Sequence, residues 1–446
     1  MEVLMNPDLE LLMGELGKQA ENVHVFRRYY SGDQPLMYTH QRLKDVFNKS
    51  TVRFIQNWCA VVVDSTADRI DLKGFDNPKK RANKRLDDFW EDQFIDMVSR
   101  QVHQDALVTG DGYVMLDRIN GQTRAYYNSP DKVFLDYEKN DPNKKRAGIK
   151  CYYDPQDNMT RVYLYYPTRI EKYEQQGNER DLNKFILVDE YANDFGDVPI
   201  IHFSCQPELT NVMPIQDAIN KTFSDMMVVS EFGAFPQRWM ITNADISTLK
   251  ATPQAIMQIP KGVSEEEDTS VGEFSTANLT MFLETIDKLT NSIAVISRTP
   301  KHYFFNVGAN ISGEALQVME APLIKKVEKL ITNFEHGWLE LAALIDATEG
   351  TTCVWERPET QQTLMETQAM KTMLEMGIPL VTILKQYGWT MDEIEQLKQD
   401  QEEQKLKEAT VMDNAIINAL SRLEQSNNPY NLNSLRQTQA ERGVAE

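Results

Sequence analysis

Residues 312–347 read SGEALQVMEAPLIKKVEKLITNFEHGWLELAALIDA. Leu316, Met319, Leu323, Val327, Leu330, Phe334, Trp338, Leu341 and Ile345 recur at intervals of three or four residues, which is the period of one apolar stripe on an α-helix. Ser312 is placed to cap this helix. Glu314 falls in its first turn, where a carboxylate meets the positive helix end. At 1.5 Å per residue, 313–347 spans about 50 Å. Pro322 removes one backbone donor and crowds the preceding turn, so a kink is expected there. A subunit that crosses a large assembly needs such a helix; an isolated domain rarely does.

Upstream lies a polar loop, 298–311, holding Pro300 and Gly308. Before it, two predicted helices of about twenty residues (Pro214 to Gly233 and Asn278 to Ser297) bracket a compact insert from Phe235 to Thr276. The insert contains strand-like Gln237–Ile241 and Ile256–Ile259, a short helical stretch near Asp245–Lys250, and the acidic turn Glu265-Glu266-Glu267-Asp268. Two helices and a small α/β insert make a stalk with a tip.

The first 210 residues read as one α+β domain. Leu9, Leu12, Leu16, Ala20, Val23 and Phe26 predict a helix over 8–31, and Gly32 supplies the positive φ favoured at its end. Further helices are expected over 50–70 and 84–107. Gly110-Asp111-Gly112 then turns the chain into a strand-rich stretch reaching Phe203. Its runs Val133–Asp136, Gly148–Tyr153 and Arg161–Tyr166 are separated by Gly-, Asn- and Pro-bearing turns, the pattern of antiparallel hairpins. After a strand at Thr352–Glu356, helices are expected at 364–375, 378–386 and 391–420, ahead of an Asn-, Gln- and Ser-rich tail.

Composition excludes several function classes. With 446 residues and 41% hydrophobic content the chain has material for real cores. No run approaches the ~20 apolar residues of a membrane span, and Met1 is followed by Glu2 and Asp8, so neither a membrane partner nor a basic signal peptide is expected. Cys59, Cys151, Cys205 and Cys353 form no CxxC pair and read as buried free thiols of a reducing compartment. The six histidines show no metal-ligand spacing, so no metal or cofactor is expected. Lys+Arg number 47 against 67 Asp+Glu, a formal charge of −20, which argues against a tight phosphate-neutralising grip on nucleic acid.

Catalytic signatures are absent as well. There is no GxxxxGK[ST], GxSxG or strand-borne GxGxxG. Gly110-Asp111-Gly112 reads as a turn rather than a metal loop, and Lys79-Lys80-Arg81, followed by Asp87, Asp88, Glu91 and Asp92, as a salt-bridged helix start. No enzymatic constellation emerges.

Several short segments, in order, resemble the portal proteins of tailed double-stranded-DNA bacteriophages, in particular the siphophage-type branch. Tyr29-Tyr30-Ser31-Gly32-Asp33 looks like that family's early YYxG segment. Asn48 to Phe75, ending Asp68-Arg69-Ile70-Asp71-Leu72-Lys73-Gly74-Phe75, looks like its R(L/I)…GF segment. Leu107-Val108-Thr109-Gly110-Asp111-Gly112-Tyr113 is similar to its helix-to-strand turn, and Ser312-Gly313-Glu314-Ala315-Leu316 to its SGxAL helix start. The C-terminal third is similar only in being helical.

The resemblance implies an α+β portal fold: a wing over 1–210, stem helices over 211–234 and 277–298, a clip over 235–276 and a tunnel loop over 299–311. The long helix and strand of 312–357 would cross the wing, and 358–446 would form a helical crown and tail. It implies a ring, usually a dodecamer, at one capsid vertex of the virion, assembled in the host cytoplasm. Double-stranded DNA would pass through without sequence specificity. The large terminase, then head-completion or adaptor proteins, would dock on the clip, where Glu265, Glu266, Glu267 and Asp268 are the candidate contacts. Major capsid and scaffolding proteins would be further partners. In the tunnel loop, Lys301, His302, Asn306 and Asn310 are candidate DNA-facing groups, with Lys301 preferred, while Phe304 and Phe305 read better as anchors. Removing 303–310 is expected to permit ring assembly but impair DNA retention. A different head–tail connector or minor capsid protein, and an acidic-site nuclease, are the competing readings.

Overall fold

A computed structural model describes residues 6–35, 55–233, 238–241, 270–273, 278–305, 313–346, 350–359, 363–386 and 394–402. The chain divides into two compact units, Met1–Glu359 and Thr360–Glu446.

Helix α1 (Pro7–Ser31) opens where the Asn6 side chain accepts the Asp8 N–H at 3.0 Å, with proline in its first turn, and closes on Gly32 at φ 73°. The next described helix, α2, is shorter than the periodicity suggests. It runs Trp58–Ala67 with Asn57 capping its start, and residues 50–54 of the expected range lie outside the described residues. Residues 55–57 are not helical: Trp58 N–H donates to Gln216 Oε1 at 2.9 Å and Gln56 N–H to Asn220 Oδ1 at 3.1 Å. A polar stripe far along the chain thus competes successfully with one more helical turn.

Strand β1 (Leu72–Asp76) leads to α3 (Lys80–Asp92) and α4 (Ile95–Thr109). The single helix expected over 84–107 is therefore two helices, broken at Phe94, which sits at φ 51°. The break re-phases the apolar stripe. Ala82, Leu86 and Phe89 are buried before it and Ile95, Val98, Val102 and Ala106 after it, while Phe94 and Met97 are left exposed.

Strands β2 (Asp111–Ile119) and β3 (Gln122–Asn128) form a hairpin, followed by an antiparallel meander of β4 (Val133–Glu138), β5 (Asp141–Asp154), β6 (Met159–Tyr165), β7 (Arg169–Gln176) and β8 (Ile186–Ala192) in chain order. The runs expected over 133–136, 148–153 and 161–166 lie in or at the end of β4, β5 and β6. β9 (Ile200–Ser204) returns to pair with β2. Leu9, Leu12 and Leu16 of α1 cover one face of the meander over Ile149, Cys151, Val162 and Leu164. Tyr113, Met115, Val133, Leu135 and Ile200 join the two sheets in a second cluster.

Next come α5 (Met213–Gly233), β10 (Arg238–Ile241), β11 (Ser270–Glu273) and α6 (Thr280–Ser297). The helices pack together, and the strands pair antiparallel from Arg238↔Glu273 to Ile241↔Ser270. α7 (Gly313–Asp346) is the long helix, continuous through Pro322, and β12 (Thr352–Trp355) pairs antiparallel with β1. The second unit contains α8 (Thr363–Glu375), α9 (Leu380–Gln386) and a helical run at 394–402, with Ile383, Leu384 and Ile394 buried.

Two glycines record how closely the main core packs. A Cβ on Gly112 would lie 2.5 Å from Val102 O, so β2 touches α4 backbone to side-chainless backbone. On Gly337 it would lie 2.6 Å from the Phe203 ring, letting α7 settle onto β9. Around that contact His103, Phe203, Phe334 and Trp338 are all fully buried or nearly so. The Trp338 indole N–H donates to His103 Nε2 at 2.9 Å, and the His103 ring stacks on Phe334 at 4.8 Å. Burial pushes the His103 pKa down to about 3, so the imidazole is neutral and its Nε2 lone pair accepts.

Candidate functional site

The root of the 299–311 loop is built into the main core. α6 ends with Arg298 in the left-handed region at φ 57°, and Thr299 N–H reaches back to Ala294 O at 3.1 Å. Ser297 Oγ donates to Ile293 O at 2.7 Å and lies 2.9 Å from Thr299 Oγ1. Pro300 then sets φ for a short 3-10 turn, Lys301–Tyr303. Phe304 is buried and meets the Trp58 ring edge-on at 5.4 Å, and Phe305 packs against the same cluster.

Arg69 gathers four segments at this root. Its Nη2 lies 3.1 Å from Glu320 Oε1 on α7 and 3.1 Å from Tyr303 Oη, while Nη1 donates to Pro358 O at 2.5 Å. Its planar fork suits such divergent acceptors. Burial opposes the guanidinium charge, but Tyr303 and Glu320 more than offset this, so its pKa is raised. His302 Nε2 lies 3.5 Å from the same Glu320 oxygen, and its ring rests on Tyr303 at 4.8 Å. The end of α2, the loop root, the long helix and the chain beyond β12 therefore meet on one ion-paired centre.

A second lysine-centred contact lies nearby. The Lys326 amine on α7 donates to Glu208 Oε2 and to Ser297 O, each at 2.9 Å. Burial pulls its pKa down, with Glu208 acting in the opposite sense. A cleft of about 290 Å³ runs beside it, with Arg298, Lys329 and Asn333 in its wall.

Of the residues the sequence nominated, Lys301 and His302 occupy the same short turn. Lys301 is exposed, whereas His302 is partly buried against Glu320. Asn306, Asn310 and the acidic turn Glu265–Asp268 lie outside the described residues. Phe304 anchors the loop, as expected of it. Arg69, Glu320 and Lys326 were not nominated: Arg69 stood inside a quoted motif, and the others are ordinary charged positions on an amphipathic helix.

The early YYxG segment also acquires a physical meaning. Tyr29 Oη donates to Asp217 Oδ2 on α5 at 2.8 Å, and Tyr30 Oη to Asp64 Oδ1 on α2 at 2.7 Å. Burial and then the Asp64 bond push the Tyr30 phenol up to about 12, and Tyr29 shifts the same way beside Asp217. Asn57 Nδ2 donates to Tyr30 O at 2.7 Å, closing the corner that Gly32 turns. Among the described residues no group of three His, Cys, Asp or Glu side chains is arranged to hold a metal ion, and no helix is long and apolar enough to cross a membrane.

The described residues make a mixed architecture of helices and antiparallel sheets. Residues 14–407 match the family model described as phage portal protein, SPP1 Gp6-like, and the chain belongs to that family. It is 22% identical over 383 residues to the portal protein of Mycobacterium phage D29, covering 77% of this chain and 78% of the relative. To the portal protein of Mycobacterium phage L5 it is 22% identical over 307 residues, 62% of each chain. Among solved structures, a chain from the neck of an empty GTA particle computed with C6 symmetry is similar, with TM-score 0.46 and 11% identity over 80% of this chain and 94% of that one.

Proposed function

We propose that the protein forms a ring at one capsid vertex through which double-stranded DNA is packaged and ejected, without catalysing a reaction itself. Residues 1–210 with 312–357 form the wing, 211–234 and 277–298 the stem, 235–276 the clip, 299–311 the tunnel loop and 358–446 the crown. The observation that carries this reading, within a portal family, is the apolar surface that one chain leaves uncovered. Met281, Leu283, Val295 and Ile296 on α6 are exposed, and Val318 on α7 is 74% exposed. Side-by-side copies would bury such residues, and the same patch on each subunit meeting a different patch on the next closes a ring.

The charge then acts as a release device. A wall built from subunits of −20 each repels phosphate at short range, so DNA is confined without being held. Lys301, exposed at the loop root, supplies brief contacts, and Asn306 and Asn310 extend the polar surface. Glu265–Asp268 in the clip meets basic surfaces on the large terminase and, later, on head-completion proteins. Major capsid and scaffolding proteins surround the ring, which reaches the virion after assembly in the host cytoplasm. Mass photometry of the purified chain tests the assembly: a ring of twelve 51.4 kDa subunits weighs on the order of 600 kDa. Averaged images of particles, viewed down the unique vertex, test its place.

A further inference from the structure

The meander ends on an open strand. β8 pairs with β7 on one side and with no described strand on the other, which leaves an edge open to a further strand; the Glu190 N–H donates to the Asp189 side chain at 2.9 Å. Every residue from Ile186 to Ala192 is exposed. Ile186, Leu187, Val188 and Tyr191 are 69%, 43%, 55% and 43% exposed, an apolar run on an unprotected edge. The strand contains neither proline nor lysine, and its charged guards are the carboxylates Asp189 and Glu190. A register shift against β7 leaves Val188 without a partner residue, but it lies on the paired side of the strand.

The sheet face beside this edge is amphipathic and continuous with it. Tyr165, Ile170 and Tyr191 occupy one cross-strand row, and Tyr152, Arg161, Glu174 and Ile186 another. The Tyr152, Tyr163 and Tyr165 rings follow one another at centroid spacings of 6.3 Å. An added strand would therefore extend both the ladder and an aromatic face, the arrangement by which sheet edges capture extended segments.

Charge selects the occupant. Between Gly177 and Asp197 stand six carboxylates (Glu179, Asp181, Asp189, Glu190, Asp194 and Asp197) and two cations, Arg180 and Lys184. Lys184 is already paired with Glu179 at 3.1 Å and Asp181 at 3.4 Å. Asp189 and Glu190 lie on the strand itself, on opposite faces, and Glu190 is already 3.6 Å from Arg169.

We propose that the β8 edge is a docking site for an extended segment of a partner protein in which apolar residues alternate with lysine or arginine. The segment adds as a further strand, its backbone pairing with β8 and its cations, which alternation places on one face, meeting Asp189. The test is amide hydrogen exchange across 186–192 in the full chain, with three end-blocked nine-residue peptides: alternating valine and lysine, alternating valine and glutamate, and a lysine peptide with proline at each valine position. The valine–lysine peptide should slow exchange of the outward amides about tenfold or more, the other two should not, and D189K/E190K should abolish the effect. Equal protection by the glutamate or proline peptide would overturn the proposal, as would protection that survives D189K/E190K or no protection by any peptide. So would β8 amides already protected without peptide in the assembled chain, which would mean that a second copy closes the edge.

Discussion

The contact of α7 with β9 and the helix pair α5–α6 are both apolar, yet they differ in how they are completed. At the first, Phe203, Phe334 and Trp338 are buried within one chain, and Gly337 lets the ring of Phe203 approach. At the second, polar Gln216, Asn220, Ser224 and Thr290 are buried while apolar Met281, Leu283, Val295 and Ile296 remain exposed. One region is a finished core. The other presents apolar groups outward, which is economical only when another surface covers them. Stability and assembly should therefore respond to different residues, and substitutions can separate them.

The largest effect is expected at the finished core. Trp338→Ala removes a fully buried ring and the donor to His103, and should cost about 3–5 kcal/mol in denaturant unfolding. A loss under about 1 kcal/mol would mean that this contact does not organise the main core. Arg69→Ala should follow, at roughly 2–4 kcal/mol, because Glu320 would keep its burial and lose the Arg69 guanidinium. It should also raise exchange at 301–305 more than at β2. A uniform rise would show that the loop root is not specifically tied to Arg69.

Acid should act on the same core through His103. Its folded-state pKa of about 3 lies below the ordinary value of 6.5, so its contribution is complete above pH 6.5. Below that the unfolded chain takes up a proton that the folded chain refuses. Stability should then fall by up to about 1.4 kcal/mol per pH unit until the folded pKa is reached. His103→Gln, compared at pH 7 and pH 5, should lose less stability on acidification than the parent chain. An identical pH dependence would contradict the buried neutral imidazole.

At the uncovered helix pair the stability effect should be smallest. Leu283→Glu and Val295→Glu should shift single-chain unfolding by about 0.5 kcal/mol or less, yet prevent assembly. The loop can be separated in the same way. Tyr303 and Phe304 belong to the packed root, so deleting 303–310 would disturb the Arg69 centre as well as the loop. Deleting 306–311 spares the packed root, and should leave ring mass unchanged while reducing DNA retained in particles.

Much of the architecture was legible because it rests on local periodicity. The long helix, the helices flanking the tip, the hairpins of the meander and the Gly32 corner all follow from residue spacing. Where the expectation failed, a distant partner or an unmarked backbone kink decided the outcome. No glycine or proline announces the break at Phe94, since the apolar period runs through it and only the burial pattern reveals the change of phase. The late start of α2 depends on Gln216 and Asn220, roughly 160 residues away. For the candidate site, the sequence indicated Lys301 and the anchoring role of Phe304. Arg69, Glu320 and Lys326 escaped notice because each acquires meaning only from the segments that fold against it.

The central claim is that this chain completes its apolar surface by closing into a ring. Mass photometry of the parent chain beside Val295→Glu tests it most directly. The account predicts particles on the order of 600 kDa for the parent and 51.4 kDa monomers for the variant, with both chains unfolding at similar denaturant. Parent chains that remain monomeric across assembly conditions, or rings that form equally well with Val295→Glu, would contradict it.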